Sequence, residues 1–298
     1  MQVPRRIAIV GVTGFVGGGL PALFAGKTIA VTGVSRSRDH QLPGVDRWQT
    51  LEQLDLSGHS AVINLAGERI DRRWTAQSKR LFHESRIGVT QRIVQVIARL
   101  PESERPSVLV NASAVGIYGD RGDEVLGEDA KPGTGYLAEL CKDWEDAARE
   151  AESLGVRVVC ARIGVVLGVG GPAFEKLRTI FKFCLGGNLG SGRQWVPWIH
   201  ADDLRAALVH AVLSDSLTGP INLTAPYPER NRDLTRQFSK AFHRPAILPT
   251  PAFVLRLVLG EFSSALLASQ RALPEKLDTE GFQFSFPTLE NALADLTG

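Results

Sequence analysis

IAIVGVTGFVGGGL, residues 7–20, passes from an apolar run into a segment with glycine at positions 11, 14 and 17. The apolar run reads as a buried strand, and the glycines fall where that strand would turn into a helix. Small residues at such a turn let a ligand approach the backbone, and the N–H groups at the start of the helix favour anionic oxygen. The stretch therefore predicts a strand–turn–helix unit in which Gly11, Thr13, Gly14, Phe15, Val16 and Gly17 hold the pyrophosphate of a dinucleotide. The alternative is a tight turn with no ligand. The spacing alone is weak in a chain with 30 glycines, and its place at the first βαβ unit is what strengthens it.

The chain beyond this unit keeps the same rhythm. RIAIVG (6–11) is followed by apolar runs at 28–35 (TIAVTGVS), 61–67 (AVINLAG), 107–113 (SVLVNAS) and 156–164 (VRVVCARIG). Continuous apolar strands are expected where both faces of a parallel sheet are covered. Helical patterns lie between them at 14–25, 75–100 and 134–154, and within 75–100 the residues Leu81, Ile87, Ile93, Val94, Ile97 and Leu100 fall largely on one face. Strands alternating with helices predict an α/β fold, a Rossmann-type doubly wound parallel sheet. After about residue 165 the chain turns glycine-rich and irregular, then gives a strand and helix near 201–214, a strand at 221–226 (INLTAP), and helices punctuated by proline. These shifts divide the chain into a dinucleotide-binding domain, 1–165 plus about 195–225, and a smaller, mainly helical C-terminal lobe, about 166–194 plus 226–298. Such a lobe would cover the C-terminal ends of the strands, where open α/β sheets form their ligand crevice.

Bulk composition narrows the partners. With 34 Lys and Arg against 32 Asp and Glu in 298 residues, no nucleic acid or anionic membrane partner is expected. Cys141, Cys160 and Cys184 lack metal-ligand spacing, so neither a zinc site nor a disulfide is expected. No apolar run approaches the ~20 residues of a membrane helix and no leader pattern opens the chain, which predicts a cytoplasmic protein.

The second strand decides between cofactors. It ends in Ser35, Arg36, Ser37 and Arg38, with Asp39 arriving late. Arginine and hydroxyl groups suit an adenosine 2′-phosphate, whereas an acid would suit a free ribose hydroxyl. NADP(H) is thus favoured over NAD(H), with Arg36 as clamp and Ser35 as support. The alternative for the arginines is a solvated turn.

Motifs along nearly the whole chain carry a resemblance: TGFVG, NLAGERIDRRW, SRIGVT, SAVGIYG, LAELCKDWE, ARIGVVLG, GGNLGSGRQWVPWIH and RPAILPTPAFVLRLVLGE. Together they resemble the extended short-chain dehydrogenase/reductase superfamily, and more narrowly the NAD(P)-dependent epimerase family often labelled "cell-division inhibitor" (SulA-like). The resemblance implies that Asn64, Leu65, Ala66 and Gly67 line the cofactor edge, joined by Ser113 at the end of its strand. It also implies a Tyr-x-x-x-Lys pair preceded by a hydroxyl residue, for proton transfer at the substrate. The chain departs here. Counting from Tyr136, the lysine position is Leu140; counting back from Glu145, it is Cys141 and the tyrosine position is Leu137. Ala114 stands at the usual hydroxyl position, with Ser113 beside it.

Ser113, Tyr136 and His200 remain as candidates for polarising a reacting oxygen, though a tyrosine without a lysine partner keeps a pKa near ~10 and makes a poor base. Glu68, amid Arg69, Arg72, Arg73 and Trp74, reads equally as a substrate contact or part of an ion-pair network. The resemblance places Arg193, Trp198 and His200 at the substrate pocket, while a histidine before Asp202 and Asp203 also suits a structural role. Two functions stay open. One is an NADP(H)-dependent oxidoreductase or epimerase acting on a small molecule such as a sugar-nucleotide. The other is a non-catalytic NADP(H)-binding regulator that reports redox state. The helices at 75–100 and 134–154 would suit a homodimer interface.

Overall fold

The computed structural model describes residues 6–37 and 40–298; Arg38 and Asp39 lie outside the described residues. The chain builds β1 (Arg6–Val10), α1 (Leu20–Ala25), β2 (Ala30–Ser35), β3 (Arg47–Thr50) and β4 (Ala61–Asn64). It continues through α2 (Ala76–His83), α3 (Val89–Arg99), β5 (Val108–Ala114), α4 (Tyr136–Arg149), β6 (Arg157–Ile163), α5 (Pro172–Lys182), α6 (Ala201–Leu213) and β7 (Gly219–Leu223). Five helices follow: α7 (Asn231–Phe242), α8 (Ala252–Leu259), α9 (Ser263–Leu267), α10 (Glu275–Thr279) and α11 (Leu289–Thr297).

The seven strands form one sheet in the order β7-β6-β5-β4-β1-β2-β3, every neighbouring pair parallel. Side chains alternate across each strand, and the two faces bury different partners. Ile7, Ile9, Ala61 and Ile63 face α1 and α6 through Leu20, Phe24, Leu204 and Leu208. Ala8, Val10, Val62 and Leu109 face α3 and α4 through Ile93, Ile97 and Ala148. This is the doubly wound Rossmann-type sheet that the apolar runs predict. The chain steps from β1 to β2 on one side and crosses to β4 on the other, so the sheet's switch point lies between β1 and β4.

β3 had no apolar run to announce it: of RWQT only Gln49 is buried, and the strand occupies an edge. The helical pattern at 75–100 is not one continuous α-helix either, because a π turn, Glu84–Gly88, separates α2 from α3. A third apolar cluster joins α5, α7 and α11 through Phe174, Phe181, Phe238, Leu289 and Leu293. Leu277 of α10 instead joins the α1/α6 core, with Phe282 and Phe284 packed against it. Among the described residues, no helix is long and apolar enough to cross a membrane, and no group of three or more His, Cys, Asp or Glu side chains is placed to hold a metal ion.

Candidate functional site

The glycine turn sits at the switch point and is packed on both sides. Gly11 has φ +81, a conformation that side chains other than glycine's rarely adopt, and a β-carbon there would lie 3.0 Å from the Leu65 carbonyl. A β-carbon on Gly17 would meet the Gly11 oxygen at 2.5 Å, so that position serves close packing of the following helix against β1. Thr13 and Gly14 are exposed between these two anchors. Phe15 and Val16 turn away toward the helices: Arg205 of α6 donates to the Phe15 carbonyl (2.8 Å) and the Val16 carbonyl (3.3 Å), and its guanidinium lies 5.3 Å from the Phe15 ring centroid. The turn is thus braced from behind, with its backbone left open at Thr13 and Gly14.

β4 ends in Asn64, whose side chain is fully buried. Its amide donates to Asn111 Oδ1 (2.7 Å) and Thr90 Oγ1 (3.0 Å), while its oxygen accepts the Ala66 N–H (3.1 Å). This shapes the Leu65–Gly67 turn against which Gly11 rests. Thr90 donates in turn to the Arg86 carbonyl (2.8 Å) and accepts from Trp144 Nε1 (3.0 Å), so β4, β5, the π turn and α4 share one network. Ser35 closes on the Ser37 carbonyl at the end of β2, and Arg36 beside it is exposed.

The α4 side of the crevice departs from a Tyr–Lys site in its contacts as well as its sequence. Ser113 is buried and donates to Glu145 Oε1 (2.8 Å), and no hydrogen bond joins it to Tyr136. The Tyr136 hydroxyl points at the Lys79 carbonyl (3.3 Å), and its ring packs on Trp74 (5.2 Å). Burial raises the Tyr136 pKa, so the phenol stays protonated and is not available as a base. Cys141 lies at the position that the Glu145 register assigns to lysine, and burial pushes its thiol up to about 12, so the sulfur stays protonated. Lys142 faces solvent in a pair with Asp146 (2.8 Å).

Several expected substrate contacts lie elsewhere. Trp198 is fully buried in the α5/α7/α11 cluster, its indole donating to the Tyr227 carbonyl (3.2 Å), and it offers no surface to a ligand. The reason is local: Trp198–His200 forms a short parallel pair with Val165–Leu167, which draws the aromatic inward. His200 is 2% exposed and stacked 3.9 Å from Phe286, and its Nδ1 accepts the Asp202 N–H (3.2 Å) as the N-cap of α6. It is a capping residue. Arg193 is exposed, its carbonyl held by Arg230 (2.7 Å). Glu68 pairs with Arg72, and Asp71 pairs with Arg69 and Lys176, so the acids of the 68–74 segment are met by their neighbours.

Burial lowers the His200 pKa despite Asp202, Asp295 and Asp203 nearby. The unfolded chain, with an ordinary value near ~6.5, then takes up the proton more readily as the pH falls. His200 therefore contributes stability that is present above ~6.5 and lost as the pH falls toward its folded value. In urea titrations at about pH 7.5 and about pH 5.5, His200→Gln should lose less stability between the two than the wild type; an equal loss would show that His200 is not buried neutral.

Glycines packed in this manner at the switch point of a parallel sheet define a Rossmann-type α/β protein. Within that class the chain belongs to the NAD dependent epimerase/dehydratase family, whose model matches residues 7–223; residues 250–296 match a second model, described as a domain of unknown function (DUF1731). The chain is 37% identical to the epimerase family protein SDR39U1 homolog, chloroplastic, of Arabidopsis thaliana, over 96% of this chain and 85% of that protein. The crystal structure of human epimerase family protein SDR39U1 (isoform2) with NADPH superposes with a TM-score of 0.89 at 33% identity, covering 98% of this chain and 99% of the human one. The nucleoside-diphosphate sugar epimerase from Corynebacterium glutamicum matches with a TM-score of 0.81 at 32% identity, over 99% of this chain and 59% of that one. These likenesses support the epimerase description; the narrower cell-division-inhibitor label has no support in them.

Proposed function

We propose that this chain binds NADP(H) across the C-terminal ends of β1, β2, β4 and β5 and moves hydride to or from a polar small molecule of the sugar-nucleotide type. The observation that carries the reading is the glycine turn: packed at Gly11 and Gly17, open at Thr13 and Gly14, with the exposed Arg36 at the end of the neighbouring strand. The NADPH in the human relative's crystal structure and the name of the Corynebacterium protein support the cofactor and the substrate class.

Bound NADP(H) supplies a two-electron hydride acceptor and donor. A substrate alcohol would give its hydride to the oxidised cofactor and its hydroxyl proton to solvent, becoming a carbonyl; return of a hydride to either face of that carbonyl and of a proton to its oxygen would restore the alcohol. Ser113, at the end of β5, spends its proton on Glu145 and keeps its lone pairs to accept a hydrogen bond. Tyr136, at the start of α4, turns its hydroxyl to the Lys79 carbonyl and would have to leave that contact to reach a substrate oxygen.

Calorimetric titration with NADPH, NADP⁺, NADH and NAD⁺ at matched ionic strength tests this. Both phosphorylated forms should bind more tightly, and Arg36→Ala should weaken them by about tenfold, ~1.4 kcal/mol, while leaving the NAD forms unchanged. Binding of none of the four would end the reading. Binding of one oxidation state alone, with no turnover of any alcohol or carbonyl, would favour a redox-reporting regulator.

A further inference from the structure

Resting on the dinucleotide reading above, we propose that Arg86 supplies the cation that α4 lacks, and that it holds the ribose and phosphate oxygens of the nicotinamide half of the bound dinucleotide. Arg86 sits in the π turn between α2 and α3, a type of irregularity often retained where a side chain must be aimed. Its guanidinium lies 5.2 Å from the Trp144 ring centroid and 6.0 Å from that of Phe82. Its hydrogen bonds all go to neutral acceptors: the Glu68 carbonyl (3.0 Å), the Phe82 carbonyl (3.4 Å) and Ser85 Oγ (3.5 Å). None of the ion pairs found among the described residues includes it. Arg86 is half-buried; Arg162, which is fully buried, is by contrast clamped by both oxygens of Glu145.

A cation removed from water without an opposite charge is costly, and such a group is satisfied by an electron-rich partner. Burial does lower the Arg86 pKa, and the charge of Glu68 nearby offsets this only in part. What the guanidinium faces identifies the partner. A β-carbon on Gly67 would lie 3.2 Å from Arg86 Cζ and Nη2, so the guanidinium lies against the turn that Gly11 abuts. The adenosine half of a dinucleotide extends toward β2, where Arg36 stands, which leaves the β4–β5 side for the nicotinamide half. Cys141, at the lysine position of one register, and Tyr136, the tyrosine of the other, both feel the Arg86 charge. A planar fork of N–H donors suits paired ribose hydroxyls or phosphate oxygens.

The test compares NADPH and NADH with 2′,5′-ADP, which carries the adenosine and its 2′-phosphate but no nicotinamide half. Arg86→Gln should weaken NADPH and NADH alike by about tenfold and leave 2′,5′-ADP within about twofold, with Arg86→Lys, which keeps the charge but not the fork, recovering only part of the loss. Unchanged NADPH affinity in a folded Arg86→Gln protein would overturn the proposal. Equal losses for NADPH and 2′,5′-ADP would overturn it too, because a merely structural arginine would weaken both. Arg86→Met carries the same comparison if Arg86→Gln does not fold, and failure of both to fold would make Arg86 a fold-holding residue instead. Absence of NADPH binding by the wild type would instead remove the dinucleotide reading itself.

Discussion

Arg162→Met should destabilise this protein by about 3–5 kcal/mol, because buried Glu145 would keep only the exposed Arg149 as a cationic partner. Arg162 and Glu145 are 3% and 1% exposed, and Arg162 donates from Nε and Nη2 to the two carboxylate oxygens at 2.8 and 3.0 Å. Its Nη1 donates to the Tyr118 hydroxyl (2.9 Å) and the Glu128 carbonyl (2.9 Å). Tyr118 donates its own O–H to Asn222 Oδ1 (2.7 Å), and the Asn222 amide donates to the Leu126 and Leu273 carbonyls. One buried network therefore ties α4, β5, β6 and β7 to the C-terminal segment. Urea midpoints should fall sharply in Arg162→Met with the slope unchanged. The double variant Arg162→Met/Glu145→Gln should recover about 0.5–3 kcal/mol, since glutamine still accepts from Ser113 and no charge is stranded. A single-variant cost under about 1 kcal/mol would mean that the pair does not close the network.

That network also marks where sequence reasoning reaches its limit. The β-branched runs gave five strands and the sheet class, because continuous apolar strands need cover on both faces. β3 was hidden because an edge strand is covered less, and RWQT carries no apolar run. In the sequence Glu145 serves only to set a helix register; the structure pairs it with Arg149 at 3.1 Å and, deeper, with Arg162 on a strand, a contact that only the fold makes. The resemblance put Trp198 and His200 at the substrate pocket, yet a three-residue strand turns both inward.

Arg86 was missed for a different reason. The 75–100 pattern reads as one amphipathic helix, on which an arginine is a solvated residue, and the π turn that re-aims it has no periodic signature. A signal was there nonetheless: the positions three and four residues away, Phe82, His83, Val89 and Thr90, include no acid. An arginine without a helical partner, beside Ile87 on the apolar face, is a cation whose partner must come from elsewhere.

Gly14→Ala separates ligand from scaffold at the glycine turn. Should the dinucleotide lie where the turn is open, the variant will bind NADPH about 100-fold more weakly, since a methyl driven into a packed contact costs about 1–3 kcal/mol. The fold itself should hardly respond. The Gly14 backbone is not in the left-handed region, the position is exposed, and among the described residues a new β-carbon would meet the Gly11 oxygen alone, at 3.2 Å. Gly17→Ala supplies the opposite control. Its β-carbon would strike the Gly11 oxygen at 2.5 Å and Val12 Cα at 2.9 Å, so the damage there falls on the packing of the helix against β1. Thermal or urea unfolding should find Gly17→Ala clearly destabilised and Gly14→Ala within about 1 kcal/mol of the wild type. Calorimetry should then find binding lost in the variant whose fold is intact. Unchanged NADPH affinity in Gly14→Ala would mean that the open face of the turn is not where the pyrophosphate lies, and the glycines would be left with packing as their only role.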